Sequence, residues 1–509
     1  MTRRGLALPG AVLLALAVVF AIAWGTRPGA SQATGPAGQD TAVTSITRSC
    51  PPSAPGSGAA RISMVALPAQ GAGANAGPAS TGSASFSAVA TAAAVGVGPS
   101  SAAGETATAG SAGAKAKASP PVTETTPGAV ATVTAPGNGG TAVAATGKMA
   151  EGFEAEQSDA SGTGLVSCTH PGSDMWFVGT GQAAGASQVW LYLMNTGNLT
   201  ASADVTIITD TGLQSGLSSA ITIAPGQSVS ENITKYVTGS QALALHVQTN
   251  TGQVAASAWE GNGSGGAWLP QANAPSTSVV IPGLTVASSA AKLFVVVPGS
   301  TDAQLKVVAY TPAGAVNQFP GSPVDASAGA ATPLALNSLG ASAAGLKLTS
   351  NQPILAGVLV PGTGIGSFTT GVAPITEQGV VAGNPATRGI TVGLLLTAPS
   401  AAARASISVI GADGTVTTPV GDQSVAVAAG HTLAVAVSRP ADGSREPFAI
   451  VVTPQHGSGP LYAVRVVTSG AGGLSAPLTS LLPVSSAMTS ITLPPAQDSY
   501  TAVLPAANS

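Results

Sequence analysis

The sequence predicts an all-β protein in which tandem immunoglobulin-like or fibronectin-like β-sandwich modules follow one N-terminal transmembrane helix. Composition is the first reason: charged residues make up 7% of the 509 residues and aromatic residues 4%, whereas globular domains are about 25% charged. The second reason is that short Val- and Thr-rich segments alternate with Gly, Pro and Asp turns, a pattern typical of strands. The third is a set of landmarks that recurs about every hundred residues.

The first predicted element is a signal anchor at residues 1–24. Arg3 and Arg4 precede an uncharged apolar run from Leu6 to Trp24, which as a helix would reach about 28 Å and match the hydrocarbon thickness of a bilayer. Positive charge before the run predicts a single-pass protein of the cell membrane, with a cytoplasmic N-terminus and an extracytoplasmic remainder. Secretion after cleavage of the run as a signal peptide is the alternative.

The rest of the chain divides by composition and by the repeat. Two sets of turn glycines keep one period: Gly212, Gly314 and Gly414, and Gly226, Gly329 and Gly430. The predicted segments are a flexible tether at residues 25–44, N-terminal strands with a low-complexity Ala/Gly/Ser/Thr region at 45–174, and β-sandwich modules at 175–277, 278–378 and 379–509, the last with C-terminal strands.

The two cysteines, Cys50 and Cys168, both follow the apolar run. An exported chain folds in an oxidising compartment, so we expect them to form a disulfide that ties the N-terminal strand to the first module. Two buried free thiols are the alternative.

Residues that could carry catalysis do not form a recognisable set. The four histidines, His170, His246, His431 and His456, lack the spacing of a metal-binding pair. The Ser-x-x-Lys match at Ser289 has none of its partner motifs. A net charge of −3 without a basic cluster excludes nucleic acid as a partner. The sequence therefore predicts no catalytic residue, no cofactor and no metal, and a protein that is not an enzyme.

A small acidic group precedes the second cysteine. Its members are Glu151, Glu154, Glu156 and Asp159. We interpret this group as a solvated helical turn.

Module 1 contains every tryptophan outside the apolar run. In the predicted strand at residues 188–195, Val189 and Leu191 lie on one face while Trp190 and Tyr192 lie on the other. A strand that is apolar on both faces is either buried twice or presents aromatic residues outward. The predicted ligand face consists of Trp190, Tyr192, Trp259 and Trp268, with Trp190 as the expected contact residue. A better-filled core, or a cover formed by the N-terminal segment, is the alternative.

Several short motifs follow one another in order. They are Cys168 with Trp176-Phe177-Val178-Gly179, Trp268-Leu269-Pro270, Ile281-Pro282-Gly283, Val297-Pro298-Gly299 with Asp302, and Gly459-Pro460-Leu461-Tyr462-Ala463. Their order resembles an actinobacterial exported family, domain of unknown function 5719, over about residues 45–509. The resemblance implies an anchored envelope protein and supplies no activity and no site residue.

Two hypotheses for the function follow. The first is a membrane-anchored, non-enzymatic cell-envelope binding or scaffolding protein, with the membrane as a partner through the N-terminal helix and an envelope glycan or envelope protein as the other. The second is an envelope polysaccharide-binding or polysaccharide-processing protein that uses the aromatic residues of module 1. An exposed aromatic row beside carboxylates would favour the second, and a smooth polar surface the first.

Overall fold

The structure is a computed structural model that describes residues 39–68, 81–91, 122–135, 139–162, 164–214, 220–285, 291–321, 323–336, 339, 343–362, 364–440, 444–470, 472–475 and 477–493. It confirms the all-β class: regular structure in these residues consists of strands and of short 3₁₀ turns. The turns are Gly147–Met149, Gln182–Ala184, Thr234–Tyr236, Val420–Asp422 and Gly473–Ser475.

The structure contradicts the predicted location in the cell membrane. Within the described ranges, no helix is long and apolar enough to cross a bilayer. The run from Leu6 to Trp24, on which that prediction depended, lies outside the described residues.

The chain forms two compact units. In the smaller one, the described residues are two antiparallel strands, β1 (Gln39–Ala42) and the last strand of the chain, β38 (Ser490–Leu493). The described end of the predicted tether is therefore a strand. The larger unit, Val43–Thr489, contains β2 to β37.

The N-terminal region forms a sandwich of two sheets, which we call the N-terminal sandwich. Its strands are β2 (Ser45–Cys50), β3 (Arg61–Val65), β4 (Ala84–Ala88), β6 (Thr123–Glu124), β7 (Ala131–Thr134), β8 (Thr141–Thr146), β9 (Glu154–Ser158) and β10 (Leu165–Ser167). The short strand β5 (Ala90–Thr91), which follows β4 along the chain, pairs instead with module 1. The sheet orders are β6-β4-β8-β2 and β7-β3-β9-β10. Strands were predicted in this region, and much of its low-complexity part lies outside the described residues. The prediction of a solvated helical turn is wrong, because Glu154 and Glu156 lie in strand β9 and Glu156 is buried.

Module 1 is a second sandwich. Its strands are β11 (Asp174–Thr180), β12 (Gln188–Met194), β13 (Ala201–Thr209), β14 (Gly212–Gln214), β15 (Ile221–Ile223), β16 (Gln227–Asn232), β17 (Ala242–Thr251), β18 (Ala255–Asn262), β19 (Gly265–Leu269) and β20 (Gln271–Ala272). The sheet orders are β14-β13-β17-β11-β20 and β19-β18-β12-β16-β5.

Modules 2 and 3 repeat this plan. The strands of module 2 are β21 (Ser276–Thr285), β22 (Lys292–Val297), β23 (Ala303–Thr311), β24 (Gly314–Asn317), β25 (Val324–Ala326), β26 (Ala330–Ala335), β27 (Ala343–Val360) and β28 (Ser367–Thr370). Those of module 3 are β29 (Gly379–Asn384), β30 (Ile390–Ala398), β31 (Ala403–Ile410), β32 (Val416–Thr417), β33 (Val425–Val427), β34 (His431–Ala436), β35 (Phe448–Pro454), β36 (Tyr462–Ser469) and β37 (Leu478–Pro483).

All four sandwiches share one strand order. If the main strands of each are lettered a to h along the chain, the sheets are d-c-f-a and e-b-g-h; in module 3 these are β32-β31-β35-β29 and β34-β30-β36-β37. In module 2 the long strand β27 serves as both f and g, pairing with β23 and then with β22. This order differs from the ABED and CFG sheets of the immunoglobulin fold.

The repeat landmarks of the sequence coincide with equivalent turns. All six landmark glycines have positive φ, between +63° and +118°. Gly212, Gly314 and Gly414 lie at the turns that lead into β14, β24 and β32. The period read from the sequence therefore reflects three copies of one fold, and the N-terminal sandwich is a fourth copy with the same strand order.

The four sandwiches contact one another in a closed series. The core of module 1 continues into module 2 through Phe294 and Val296, and the core of module 2 continues into module 3 through Leu395 and Val464. The N-terminal sandwich packs against module 3 in one apolar cluster and against module 1 in another.

The predicted disulfide is confirmed: Cys50 and Cys168 are bonded across a separation of 118 residues. Its position differs from the prediction, because both side chains belong to the core of the N-terminal sandwich and join its two sheets. It does not tie a strand to module 1.

We expect replacement of both cysteines by serine to lower the free energy of unfolding of the N-terminal sandwich. The open loop regains chain entropy worth about 5 kcal/mol for a closure of this length. Denaturant unfolding of the two proteins measures the difference. Alkylation of both thiols in the unreduced wild-type protein would contradict the bond itself.

Candidate functional site

A cavity of about 250 Å³ lies where the four sandwiches meet. The N-terminal sandwich contributes Arg48, Glu154 and His170 to its wall, and module 1 contributes Ser257 and Trp268. Module 2 reaches it with Val372, and module 3 with Leu482 and Ser486. The cavity is therefore a composite site that depends on how the sandwiches pack.

The wall of the N-terminal sandwich carries a buried ion pair. Arg48 of β2 contacts the Glu154 carboxylate of β9, and its guanidinium also lies 3.4 Å from the Phe153 carbonyl oxygen. Burial raises the pKa of Glu154, and the Arg48 charge opposes that rise. Arg48 Nε is buried without a hydrogen-bond partner in the described protein.

The rest of the cavity wall, from module 1 and from the segment that follows Cys168, offers polar groups without charge. The Ser257 hydroxyl of β18 is buried and has no hydrogen-bond partner among the described residues. Gln271 and Asn273 add side-chain amides, and the Thr169 hydroxyl beside them donates to the Ala256 carbonyl at 3.1 Å. The pKa of His170 is lowered, first by its partial burial and then by the Arg48 charge, so this imidazole is neutral at pH 7.

A second buried ion pair joins the N-terminal sandwich to module 3. The Glu156 carboxylate of β9 lies 2.5 Å from the Arg465 guanidinium of β36, and both side chains are inaccessible to solvent. Burial raises the pKa of Glu156, while the Arg465 charge and the Gly383 amide oppose the rise. Because strand residues two apart share a face, Glu154 and Glu156 both point away from the core of their own sandwich.

An irregularity in β29 completes this second site. The pairing of β29 with β35 shifts register between Val381 and Asn384, and the amide of Gly383 then donates to Glu156 at 2.9 Å. The Asn384 side chain donates to the carbonyl oxygens of Val381 and Phe448 and accepts a 3.4 Å contact from Arg465. Bulges re-aim backbone groups in this way.

The predicted ligand face is an interior contact. Trp190, Trp259 and Trp268 lie side by side in register on β12, β18 and β19, and Tyr192 packs 5.7 Å from the Trp268 ring. Tyr192 and Trp259 are 5% exposed and Trp268 is 9% exposed. Trp190, the expected contact residue, is partly buried as well.

The cover over this face comes from the N-terminal sandwich. Val166 belongs to the same apolar cluster, and Ala54 packs against it. Tyr192, Trp259 and Trp268 are therefore buried under this cover and Trp190 is partly buried, so the prediction of an open ligand face is corrected. Trp268 has a second role, since it also lines the cavity.

Among the described residues, no group of three or more His, Cys, Asp and Glu side chains could hold a metal ion. His246 stacks on Trp176, with ring centroids 3.7 Å apart, and lies 3.0 Å from the Asp174 carboxylate. His170 is at the cavity rim, and His431 contacts the carbonyl oxygen of Ala429.

A model of a protein family, described as Family of unknown function (DUF5719), matches residues 122–438. The chain belongs to this family. The match confirms the resemblance read from the motifs, over a shorter range than the expected residues 45–509: it runs from the N-terminal sandwich to just past β34 in module 3. No curated protein and no solved structure matches the chain.

The structure explains the glycines that end two motifs of this DUF5719 chain, Trp176-Phe177-Val178-Gly179 and Ile281-Pro282-Gly283. A side chain at Gly179 would collide with the Glu260 carboxylate and Leu269, so glycine leaves room for a buried acid. A side chain at Gly283 would lie 2.7 Å from Leu395 in module 3, and the preceding Pro282 carbonyl accepts the Thr397 hydroxyl. These motifs mark an internal acid and the contact between modules 2 and 3.

Glu260 is the buried acid without a cation in module 1. It accepts the Thr180 amide at 2.9 Å and the Thr180 hydroxyl at 2.6 Å. Burial raises its pKa to about 8, although both donors favour the charged form. Each buried carboxylate described so far is therefore held by a structural contact: Glu154 by Arg48, Glu156 by Arg465 and Glu260 by Thr180.

We expect the stability of module 1 to depend on pH through Glu260. With a folded pKa of about 8 and an ordinary value of 4.5, the folded state holds an extra proton between these pH values. Stability then falls as pH rises across this window, by at most about 5 kcal/mol. Glu260→Gln keeps the neutral shape and is expected to flatten the profile of melting temperature against pH.

The matched control is Glu446→Gln, which removes an exposed carboxylate that pairs with Arg61. Its profile is expected to follow that of the wild-type protein. A Glu260→Gln profile that also follows the wild-type protein would contradict the raised pKa.

Proposed function

We propose that this DUF5719 protein is a non-enzymatic binding protein that acts as a rigid scaffold in an oxidising compartment. The proposal is carried by one observation: four sandwiches of one strand order are coupled by buried contacts, so that equivalent edges are held at fixed spacing. The disulfide supports the compartment, since such bonds persist where the surroundings are oxidising.

Equivalent edges of the sandwiches carry exposed aliphatic side chains. Leu213 in β14 is 68% exposed, and Val316 in β24 and Val416 in β32 are also exposed. In the N-terminal sandwich, Val122 immediately before β6 is exposed as well. A single exposed aliphatic residue is ordinary, but its recurrence in or beside strand d of each sandwich suits a partner that contacts several sandwiches together.

Glycan binding is the second candidate function. The buried aromatic row gives no support to an open stacking platform, so this candidate now depends on the cavity. Trp268 lines that cavity together with uncharged polar groups.

The scaffold proposal is tested with a photoreactive amino acid in the full-length protein, expressed in its own host. The amino acid replaces Leu213 or Val416, and exposed Lys306 on β23 serves as the control position. We expect discrete high-mass adducts from the two edge positions and none from Lys306.

A second arm asks whether rigidity matters. Glu156→Lys places two cations together beside Arg465, which should undock the N-terminal sandwich because an uncompensated buried charge costs several kcal/mol. The adducts are expected to weaken in this background. Adducts of equal yield at Lys306, or unchanged yield after undocking, would refute a scaffold of fixed geometry.

A further inference from the structure

The second sheet of every sandwich has strand e on its outer side. These strands are β7, β16, β26 and β34. An unpaired edge strand presents free N–H and C=O groups to any other strand, and proteins protect such edges with a covering strand, a proline, a charge or a short length. The four equivalent strands can therefore be compared for these devices within one chain.

Three of the four e strands carry a protecting device. Strand β5 pairs with β16 at Gln227 and Ser228, and Glu231 adds a charge to the same strand. Strand β26 contains Pro333 at an exposed position, and strand β7 is only 4 residues long. The pairing of β5 with β16 also shows that an e strand of this fold accepts an added strand.

Strand β34 has none of these devices. Its sequence, His-Thr-Leu-Ala-Val-Ala, contains no proline and no Lys, Arg, Asp or Glu, and within the described residues no strand covers its outer edge. Strands β26 and β34 are both 6 residues long and directly follow a landmark glycine, so their fourth residues, Pro333 and Ala434, are equivalent. Module 3 thus has alanine where module 2 has a protecting proline.

The open part of the β34 edge runs from Ala434 to Ala436. Val437, just after the strand, donates its amide to the Val392 carbonyl oxygen of β30 at 3.0 Å. Because inward and outward groups alternate along an antiparallel strand, the N–H and C=O groups of Ala434 and Ala436 point away from β30. Both alanines are exposed, whereas Thr432 is 1% exposed and ends the accessible edge.

Apolar side chains surround this edge. Val435, between the two alanines, is half-buried against the core of module 3. Strand β24 of module 2 lies against β34 and carries exposed Val316, and Val416 is exposed on β32 in the facing sheet of module 3. An uncharged edge of this kind suits an equally uncharged strand. The same edge of a second copy is such a strand, since no like charges would oppose each other across the pair.

We propose that β34 pairs antiparallel with β34 of a second copy of this chain and joins two molecules as a symmetric dimer. With the two-fold axis at Val435, Ala434 of each copy exchanges backbone hydrogen bonds with Ala436 of the other, and the two Val435 side chains meet as a non-hydrogen-bonded pair. An isologous interface closes at two molecules. Because the paired segment is short, the dimer is reversible. The inference goes beyond the scaffold function and does not depend on it.

Sedimentation equilibrium of the full-length protein, from micromolar to millimolar concentration, tests the dimer. We expect a concentration-dependent equilibrium between monomer and dimer. Ala434→Pro gives β34 the residue that β26 has at the equivalent position. It deletes one outward N–H from each copy and is expected to weaken dimerisation about tenfold to a hundredfold, with the melting temperature unchanged. Ala335→Pro is the matched control, since it makes the same change at an exposed residue of β26, and it is expected to leave the equilibrium unchanged.

Single cysteines test the register and decide the proposal if Ala434→Pro folds poorly. Val435→Cys places two thiols opposite each other at the axis, within reach of a disulfide, so we expect a covalent dimer on a non-reducing gel after air oxidation. Leu433→Cys is the control on the same face of β34. In the proposed register it lies opposite Val437 of the other copy, so we expect it to remain mainly monomeric.

A protein that stays monomeric over the whole concentration range would overturn the inference, as would a dimer that folded Ala434→Pro leaves intact. Equal weakening by Ala335→Pro, or equal cross-linking of the two cysteine variants, would overturn it as well. A monomer that still gives the edge-specific adducts loses the dimer and keeps the scaffold function. A dimer that gives no such adducts shows the reverse.

Discussion

Glu156 and Arg465 meet out of contact with solvent, and the docking of the N-terminal sandwich on module 3 depends on their charges being matched. Two ions leave water at a cost of several kcal/mol each, which is repaid only when they lie close and bind further donors. The bulge in β29 supplies one such donor, the Gly383 amide. A buried pair of this kind adds little net stability compared with apolar residues, so we infer that it specifies which surfaces meet rather than how strongly they adhere.

Docking at this pair also determines the other contacts of the N-terminal sandwich. The disulfide fixes its two sheets to each other, and Val166 then reaches the aromatic row of module 1. The Arg48–Glu154 pair, on the neighbouring part of β9, becomes a wall of the cavity. The apolar contacts between sandwiches, the covered aromatic row and the composite cavity are thus three consequences of one packing arrangement.

The sequence predicted the features that depend on local pattern: the β class, the period of the turn glycines and the cysteine pair. It did not predict the fourth sandwich, because β4 (Ala84–Ala88) and β8 (Thr141–Thr146) consist largely of small residues whose strand character comes from packing around Phe86 and Val143. The spacing of Glu154 and Glu156, two residues apart, is that of side chains on one face of a strand. The side chain that pairs with this face, Arg465, is over three hundred residues away along the chain, so the sequence did not identify it. The sequence identified the aromatic face, but only the tertiary structure shows that the N-terminal sandwich covers it.

A double-mutant cycle on the buried pair tests this account most directly. Glu156→Leu, Arg465→Met and the double variant are compared with the wild-type protein by thermal unfolding of the full chain. Each single variant leaves one buried charge without its partner and is predicted to lose about 3–5 kcal/mol, whereas the double variant recovers most of that loss. Losses that simply add in the double variant would contradict the claim that these two charges act together to dock the N-terminal sandwich.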